Sequence, residues 1–340
     1  MSERPTDTEP PAPPWRLLHL MDGFVTTQLI YAAAKLGIAE LLAAGARHGD
    51  EIAAAVGVAP GPLRRVLRGL VVEDVLTEGA DGHFALTPIG ESLPALRGAA
   101  LVRGEVYYQG AAALLDSVRA GGPAFPRVYG ETFFDHLDHH ADHQAAFEAS
   151  MAGRAAQEAE DVVAAYDFGG LGRLVDVGGG RGVLLATILR AAPALVGTLV
   201  DREAVIPMAH QHLETAGVAD RVELVAGDFL AALPAGADAY VLSRVLHDWD
   251  DDDAARILTA CRRAMTATSR LLVVEAVLPE RARDAPAAIR MDLHMLLLFG
   301  ARERSEAEFR HLLGAAGLEV GQVVPTGSPA GLSIIEATPR

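Results

Sequence analysis

Two hydrophobic patterns divide this chain. From Trp15 to about Leu93, apolar residues recur at spacings of three and four, which predicts helices followed by a short hairpin. Helix, helix and hairpin in this order is the winged-helix pattern. After Phe168, short apolar runs alternate with helical stretches, which predicts buried parallel strands in a Rossmann-like, doubly wound α/β sheet. The final segment has two strands around a Gly/Ser/Pro turn, which predicts an antiparallel carboxyl-terminal hairpin at the sheet edge.

These patterns predict four segments along the chain. They are a disordered tail over residues 1–14, a winged-helix domain over 15–100, a helical linker and substrate-pocket region over 101–165, and a ligand-binding catalytic domain over 166–340. The tail is polar and Pro-rich without an apolar core, unlike a secretion signal. No apolar run reaches the roughly 18 residues of a membrane span. We therefore expect a soluble, cytoplasmic protein with no membrane partner.

Charge and cysteine content restrict the possible partners. The formal net charge is -16, which disfavours a chain that wraps a polyanion. The second helix of the predicted winged helix offers only Arg64, Arg65 and Arg68, so packing or dimerisation is favoured over a DNA-binding regulator. The single cysteine, Cys261, excludes an intrachain disulfide and fits a reducing compartment.

The stretch LVDVGGGRG, residues 174–182, indicates where a ligand approaches the backbone. Gly178 and Gly180 lie between a strand-like run and a helical pattern, but Val183 occupies the position where a dinucleotide fingerprint needs its third glycine. Asp176 at the strand end would repel a pyrophosphate and attract an ammonium or sulfonium group. S-adenosylmethionine is such a ligand.

Three further residues at strand ends complete a site for an adenosine. Asp201 ends the next strand, where a carboxylate can accept hydrogen bonds from both ribose hydroxyls. Asp228 follows the third strand and can accept a hydrogen bond from the adenine amino group, while Phe229 covers the ring face. Ligands of open sheets lie over the carboxyl ends of strands, so these residues are expected to share one site.

The chain resembles the class I S-adenosylmethionine-dependent O-methyltransferases of the small-molecule, plant-caffeate-like type, which have bacterial members in antibiotic biosynthesis. The resemblance covers residues 15–339 and is carried by LVDVGGGRG, LVD, AGDF, LHDWDDDDA, VVEAVLP and GARERSEAEF. It implies a homodimer formed through the winged helix, in which the partner closes the pocket from behind. It also implies S-adenosylmethionine as cofactor, S-adenosylhomocysteine as product and no metal. Ser243, where plant members usually have lysine, would lie beside the cofactor.

His247, at the end of the fourth strand, is the candidate general base. A phenol with a pKa of about 10 is a poor nucleophile at neutral pH until a base removes its proton, and histidine suits that task. A carboxylate should orient the ring, and Glu275 and Glu303 follow in suitable places. The resemblance implies the same three catalytic residues. Asp248 would contact the substrate or, as we favour, cap the following helix.

The acceptor pocket is expected to come from the central helices and from the segment MDLHMLLLFG. Its apolar and Met-bearing character suits a small, planar, hydroxylated aromatic acceptor, although such stripes are often ordinary core. The candidate substrate-binding residues are Phe147, Met151, Asp248, Met291, Asp292 and Met295. The acceptor itself is left open, and so is a decarboxylase or hydroxylase that keeps this fold and cofactor.

A run of histidines offers a competing interpretation. His136, His139, His140 and His143 would share one face of a continuous helix and could ligate zinc or nickel. Neighbouring aspartates make an exposed, charge-balanced face equally consistent with the pattern, and we favour that alternative. The acidic run Asp250–Asp253 is interpreted as a solvated helix start and not as a metal site.

Overall fold

The computed structural model describes residues 14–340 and divides into two compact units. The described part of the first unit comprises residues 14–108 and 141–150, and the second comprises 109–140 and 151–340. The tail predicted over residues 1–14 lies outside the described residues except for Pro14, which begins the first helix. Within residues 14–340, no helix combines the length and the apolar character needed to cross a membrane.

The first unit up to Tyr107 is mostly helical and contains three short strands. Its elements are α1 (Pro14–Met21), α2 (Gly23–Leu36), α3 (Ile38–Leu42), β1 (Arg47–His48), α4 (Gly49–Val56), α5 (Pro60–Val72), β2 (Leu76–Glu78), β3 (His83–Leu86), a 3₁₀ turn (Gly90–Ser92), α6 (Arg97–Val102) and a π-helical turn (Arg103–Tyr107).

Helices α4 and α5 with the β2–β3 hairpin form the predicted winged helix. Pro60 starts α5, where its missing N–H costs no hydrogen bond. Strand β3 lies between β1 and β2, and both pairings are antiparallel. Leu67, Leu70 and Phe84 are almost fully buried in the core that joins the helices to the hairpin. This part of the predicted fold is confirmed.

Five helices link the winged helix to the large sheet. They are α7 (Tyr108–Ala111), α8 (Leu114–Ala120), α9 (Phe125–Tyr129), α10 (Phe133–His139) and α11 (Ala141–Ala165), and residues 141–150 of α11 belong to the first unit. His140 separates α10 from α11 because its backbone, with φ -130° and ψ 86°, leaves the helical region. The predicted continuous helix through the histidine run is therefore wrong.

The remaining elements alternate between strands and helices. They are β4 (Arg173–Val177), α12 (Val183–Ala191), β5 (Val196–Asp201), α13 (Ile206–Thr215), a 3₁₀ turn (Ala219–Arg221), β6 (Val222–Ala226), β7 (Ala239–Ser243), a 3₁₀ turn (Leu246–Asp248), α14 (Asp251–Ala264), β8 (Arg270–Leu278), a 3₁₀ turn (Ala282–Asp284), α15 (Pro286–Leu298), β9 (Arg304–Ser305), α16 (Glu306–Ala315), β10 (Leu318–Pro325) and β11 (Leu332–Pro339).

The large sheet has the order β10-β11-β8-β7-β4-β5-β6, with β9 paired to β8. Strands β4 to β8 pair in parallel, whereas β11 pairs antiparallel with β8 and β10 forms the antiparallel edge. The doubly wound sheet and its carboxyl-terminal hairpin are thus confirmed. The chain moves outward from β4 through β5 to β6 and then returns to place β7 on the other side of β4. The strand order reverses there, and a crevice opens at such a point.

Both faces of this sheet are covered by helices. Successive residues of a strand point to opposite faces, so Leu174 and Leu199 pack into one core while Val175 and Val200 pack into the other. The first core also takes apolar residues of α12 and α13, and the second takes those of α14 and α16. Because both faces are buried, the strands read as nearly continuous apolar runs. The strand ends remain for polar functional residues.

Candidate active site

A cavity of about 870 Å³ lies at the carboxyl ends of β4 to β7. This volume is near the top of the range of roughly 300–1,000 Å³ for small-molecule sites. Its walls come entirely from the second unit: Pro123, Pro126, Thr132, Phe133, Phe134, Gly178, Asp201, Arg202, Glu203, Ala226, Gly227, Asp228, Phe229, Arg244, Val245, Asp248, Trp249, Leu298 and Phe299. The cavity therefore occupies the crevice where the strand order reverses.

The glycine loop after β4 brings the backbone to the cavity wall. Gly178 has a φ of +70°, which favours glycine, and a Cβ atom at this position would lie 3.0 Å from Cγ2 of Val245. The next loop glycine, Gly180, does not line the cavity; its N–H donates to Oδ2 of Asp201 over 2.8 Å. Gly178 keeps the wall open, and Gly180 orients a carboxylate.

Three of the predicted adenosine-binding residues line the cavity together. Asp201 Oδ1 accepts a second backbone hydrogen bond, from the N–H of Arg202 at 2.7 Å, so two donors fix this carboxylate. Asp228 Oδ1 accepts from the N–H of Leu230 at 2.9 Å, which leaves its other oxygen for a ligand. The ring of Phe229 lies edge-on to Trp249, with centroids 6.1 Å apart, and forms part of the wall.

Asp176 lies behind the glycine loop and not on the cavity wall. Its side chain is buried, and Oδ2 has no hydrogen-bond partner among the described residues. Burial, aided by the negative charge of Asp201, raises the pKa of Asp176 to about 7. A buried carboxylate without a partner favours a nearby cation, because a positive charge would stabilise its ionised form.

His247, Glu275 and Glu303 converge below the end of β7, as the sequence predicted. All three are buried, with 5%, 0% and 1% of their surface exposed. Nδ1 of His247 lies 2.9 Å from Oε1 of Glu303 and 3.8 Å from Oε2 of Glu275. A carboxylate accepting from Nδ1–H leaves Nε2 as the proton-accepting nitrogen of the neutral ring.

The two glutamates support the histidine in different ways. Glu303 contacts the ring, whereas Oε1 of Glu275 accepts the backbone N–H groups of Val245, Leu246 and His247 at 3.0, 2.8 and 3.4 Å. Glu275 therefore holds the turn that carries the ring.

The guanidinium of Arg304 holds the same turn from outside. This arginine is 1% exposed and donates to the carbonyl oxygens of Leu246 and Trp249 at 2.8 and 2.9 Å and to Oδ1 of Asp251. No residue pattern indicates this role in advance.

The carboxylates determine the charge state of the imidazole. Burial and the charge of Arg244 lower the pKa of His247, but Glu275, Asp248 and the hydrogen bond to Glu303 raise it more, so the net pKa is above the usual 6.5. Burial raises the pKa of Glu275 to about 6. Burial also raises the pKa of Glu303, but the hydrogen bond from His247 and nearby positive charges lower it overall. Glu303 is thus the ionised partner of the ring.

Asp248 lines the cavity beside the proton-accepting nitrogen. Its Oδ1 lies 3.4 Å from Nε2 of His247, and burial raises its pKa. The expectation that Asp248 caps the following helix is wrong: Asp250 is the N-cap of α14, with its side chain accepting the N–H of Asp253 at 2.9 Å. Asp248 instead ends the short turn that carries His247, so its side chain reaches the site.

The aromatic wall of the cavity comes from residues that the hydrophobic pattern did not single out. Phe133 and Phe134 start α10, and Phe299 follows α15; the rings of Phe134 and Phe299 stack with centroids 5.3 Å apart. A consecutive Phe-Phe pair at a helix start was the available signal. A flat apolar wall of this kind suits an aromatic ligand.

The other predicted substrate-binding residues have different surroundings. Met151, Met291, Asp292 and Met295 belong to the second unit but are not among the cavity-lining residues, and Phe147 belongs to the first unit. Met295 is 5% exposed, as expected for ordinary core. Oδ1 of Asp292 accepts the N–H of Glu303 at 2.9 Å, so this residue positions the carboxylate that holds the histidine.

Ser243, predicted beside the cofactor, is not a lining residue, whereas its neighbour Arg244 is. Arg244 has a φ of +57°, an unusual conformation for a residue with a side chain. Ser-Arg at the end of an apolar run is not a sequence signal for a turn with positive φ.

The histidine run does not form one face of a helix. His136, on α10, is 2% exposed, whereas the side chain of His139 is 67% exposed. The Nδ1 atoms of these two residues lie 2.9 and 2.7 Å from the two oxygens of Glu131. Nδ1 of His140 lies 2.8 Å from the carbonyl oxygen of His136. These hydrogen bonds give the three histidines a local role at the end of α10.

His247, Glu275 and Glu303 also satisfy the spacing of a metal-binding cluster. The charges around these three residues do not favour a metal ion. Nη1 of Arg244 lies 3.5 Å from Oε1 of Glu303, the oxygen that already contacts the imidazole, and Oε1 of Glu275 is occupied by three backbone donors. A guanidinium at this place repels a metal cation and stabilises the carboxylate in its absence.

Two family models match this chain. The model described as an O-methyltransferase domain matches residues 112–319, and the one described as an O-methyltransferase dimerisation domain matches residues 18–94. Among curated proteins, a phenazine O-methyltransferase of Lysobacter antibioticus, PhzM, is 42% identical over 328 residues, which is 95% of each chain. The first match includes all the cavity-lining residues.

Solved structures similar to this chain also include O-methyltransferases. The mitomycin 7-O-methyltransferase MmcR is 36% identical with a TM-score of 0.90, over 96% of this chain and 97% of that one. NcsB1, an O-methyltransferase from neocarzinostatin biosynthesis, was solved in complex with S-adenosylmethionine and 2-hydroxy-5-methyl naphthoic acid. It is 38% identical with a TM-score of 0.80, over 93% of this chain and 96% of that one.

Proposed function

Because the chain belongs to the O-methyltransferase family and is an S-adenosylmethionine-dependent enzyme, we propose that it methylates a phenolic hydroxyl of a small aromatic natural product, with His247 as general base. The observation that carries this proposal is the buried 2.9 Å contact between Nδ1 of His247 and Glu303 beside a cavity with an aromatic wall. The same contact favours methyl transfer over decarboxylation or hydroxylation on this fold, because it orients a histidine that can accept the proton of a hydroxyl.

The residues at the ends of β4, β5 and β6 fit the cofactor. The lack of a side chain at Gly178 leaves room at the loop, and Asp201 and Asp228 offer carboxylate oxygens beside the ring of Phe229. The buried carboxyl of Asp176, with an unpartnered oxygen behind the loop, would be ionised by a bound cation and would then offset its charge. When bound, S-adenosylmethionine supplies the methyl group as an electrophile on a sulfonium sulfur.

In the proposed reaction, His247 takes one proton from the hydroxyl of the acceptor. Nε2 of neutral His247 accepts the phenolic proton, which converts a hydroxyl with a pKa of about 10 into a much better nucleophile. Glu303 keeps the proton on Nδ1 and offsets the imidazolium charge that forms. Asp248, 3.4 Å from Nε2, adds negative charge on the cavity side.

The acceptor would lie against Phe134 and Phe299. Their stacked rings form an apolar surface at the edge of the cavity, and Phe133 meets Phe299 edge-on with centroids 5.3 Å apart. Two of the relatives are a phenazine O-methyltransferase and a mitomycin biosynthesis 6-O-methyltransferase by name. These observations support a fused aromatic or quinone acceptor.

The chain carries the family's dimerisation domain. We propose that this domain forms a homodimer, since α1 exposes an apolar surface. The exposed side chains are Trp15, Leu17, Leu18, Leu20 and Met21.

The experiment that tests the reaction follows label from the methyl group of S-adenosylmethionine into a panel of acceptors. A hydroxynaphthoic acid and a hydroxyphenazine should become labelled on oxygen, whereas their O-methyl ethers, which have no free hydroxyl, should not. The products are separated by chromatography and identified by mass spectrometry. Label found only on ring carbon or on amine nitrogen, or in no hydroxylated aromatic compound, contradicts the proposal.

A further inference from the structure

Arg244 occupies a strained position at the cavity wall. It follows the last residue of β7 with a φ of +57°, and its N–H donates to the carbonyl oxygen of Val274 at 3.0 Å. The next two N–H groups, of Val245 and Leu246, are held by Glu275. Backbone strain of this kind persists only when surrounding contacts fix it, and it concentrates at functional sites. The conformation is built into the turn that also carries the catalytic histidine.

The guanidinium of Arg244 is buried, and not all of its N–H donors have a partner among the described residues. Its side chain is 11% exposed, and Nη1 lies 3.5 Å from Oε1 of Glu303. Nε and Nη2 are buried and have no hydrogen-bond partner among the described residues. Buried donors on a charged group are costly unless an acceptor reaches them. The two free donors lie side by side on one planar group, so an oxygen of a ligand can accept from both.

The surroundings indicate which ligand supplies that oxygen. Arg244 and His247 approach the same oxygen of Glu303, at 3.5 and 2.9 Å, so this lining guanidinium lies close to the histidine, which is not itself a lining residue. The residues assigned to the adenosine are Asp201, which ends β5, and Asp228, which follows β6; both strands lie beyond β4 in the sheet order. The acidic lining residue Asp248 lies 3.4 Å from Nε2 of the histidine.

We propose that Arg244 binds an anionic or carbonyl oxygen that the aromatic acceptor carries beside its reacting hydroxyl. This inference rests on the proposed function, because it names the class of acceptor that the same cavity takes. Hydroxy acids and peri-hydroxy quinones have this arrangement: one oxygen meets Arg244 while the neighbouring hydroxyl meets His247. Arg244 is then a specificity-determining residue, and a simple phenol makes only the histidine contact.

The test measures binding, so that it does not depend on methyl transfer. The affinity of the protein saturated with S-adenosylhomocysteine is measured by calorimetry for 1-hydroxy-2-naphthoic acid and for 1-naphthol. We expect Arg244→Gln to weaken binding of the hydroxy acid by about 10- to 100-fold, the range of one charge-assisted hydrogen bond. Binding of 1-naphthol should change less than about threefold, since it lacks the second oxygen. Arg244→Lys, which keeps the charge without the planar fork, should be intermediate.

Two controls show whether the loss of affinity belongs to Arg244 and to the acceptor. Arg263→Gln makes the same chemical change at an exposed arginine on α14 and should leave both affinities unchanged. The affinity for S-adenosylhomocysteine itself distinguishes the second possible source of the oxygen: if Arg244→Gln weakens it by the same factor, the guanidinium binds the cofactor carboxylate and the proposal is overturned. Equal weakening of both aromatic ligands, no weakening, or failure of the wild type to bind the hydroxy acid also overturns it. Arg244-dependent binding without any methyl transfer would instead reject the proposed function.

Discussion

At the scale of single residues, one hydrogen bond determines the orientation and the tautomer of the His247 ring. Glu303 accepts from Nδ1 at 2.9 Å, which orients the ring and leaves Nε2 toward Asp248 and the cavity wall. The two glutamates are not equivalent, because Oε1 of Glu275 accepts hydrogen bonds from backbone N–H groups. The ring therefore depends on Glu303 both for its tautomer and for part of its raised pKa.

Replacing Glu303 should shift the pH dependence in a defined direction. In the proposed reaction His247 must be neutral to accept a proton, so kcat/KM should rise with pH through the pKa of His247, which in the wild type lies above 6.5. Glu303→Gln removes a negative charge that favours the protonated ring, so the rising limb should move to lower pH. The maximum rate should fall by about 10- to 100-fold because the ring loses its orienting acceptor.

The measurement is the pH profile of kcat/KM from pH 5 to 9 at saturating S-adenosylmethionine. The matched control is Glu223→Gln, which makes the same change at an exposed position on β6 and should keep the wild-type profile. A Glu303→Gln limb that stays in place, or moves to higher pH, would show that Glu303 does not act on the histidine.

The residues of the site differ in how far the sequence could predict them. Asp201, Asp228 and Phe229 were predicted because each lies at or just after the end of an apolar, strand-like run, and the structure brings all three to one cavity. Arg244 was missed because its position depends on a left-handed backbone that only the tertiary contacts of β8 impose. Arg304 was missed because its hydrogen bonds go to backbone carbonyls and to Asp251, which is distant in sequence, and no residue pattern indicates these partners.

At the scale of elements, strands were easier to predict than helix boundaries. The run RLLVVEAVL coincides with β8, because a strand buried on both faces is a continuous apolar run. The central helices were predicted only as a region. The break at His140 is a change in backbone angle within a polar stretch, and hydrophobic periodicity carries no information about it. Order among the strands likewise depends on packing and not on the pattern within each run.

Helix α1 provides the test of the proposed homodimer. Leu18 and Leu20 are 58% and 67% exposed, which is unusual for neighbouring leucines. A second copy that covers this helix would bury them, so the wild type should sediment at about twice the chain mass of 35.7 kDa. The double variant Leu18→Asp/Leu20→Asp places charges in that interface and should sediment near the mass of one chain.

The comparison must hold protein concentration constant, since dissociation depends on it. Leu115→Asp makes the same kind of change at a 57% exposed leucine on α8, outside the matched dimerisation domain, and should leave the mass unchanged. A wild type that sediments as one chain at micromolar concentration would contradict the proposed dimer.

At the scale of the whole molecule, the site lies where the topology predicts a ligand. The strand order reverses between β4 and β7, and the cavity is lined from the ends of β4, β5, β6 and β7. Residues distant in sequence thus meet: the loop at Gly178, the turn at His247 and the segment at Glu303 are brought together by one sheet and its β9 extension. The net charge of -16 is compatible with a cationic cofactor and disfavours nucleic acid as a partner.

We propose that His247 is the base of the S-adenosylmethionine-dependent transfer. The most direct measurement is the single-turnover rate of methyl transfer to a hydroxylated acceptor by the wild type and by His247→Asn, with the affinity of both proteins for S-adenosylhomocysteine measured in parallel. We predict that the variant transfers about 10²- to 10⁴-fold more slowly while binding S-adenosylhomocysteine within about threefold of the wild type. A variant that transfers methyl at the wild-type rate would show that His247 is not the base.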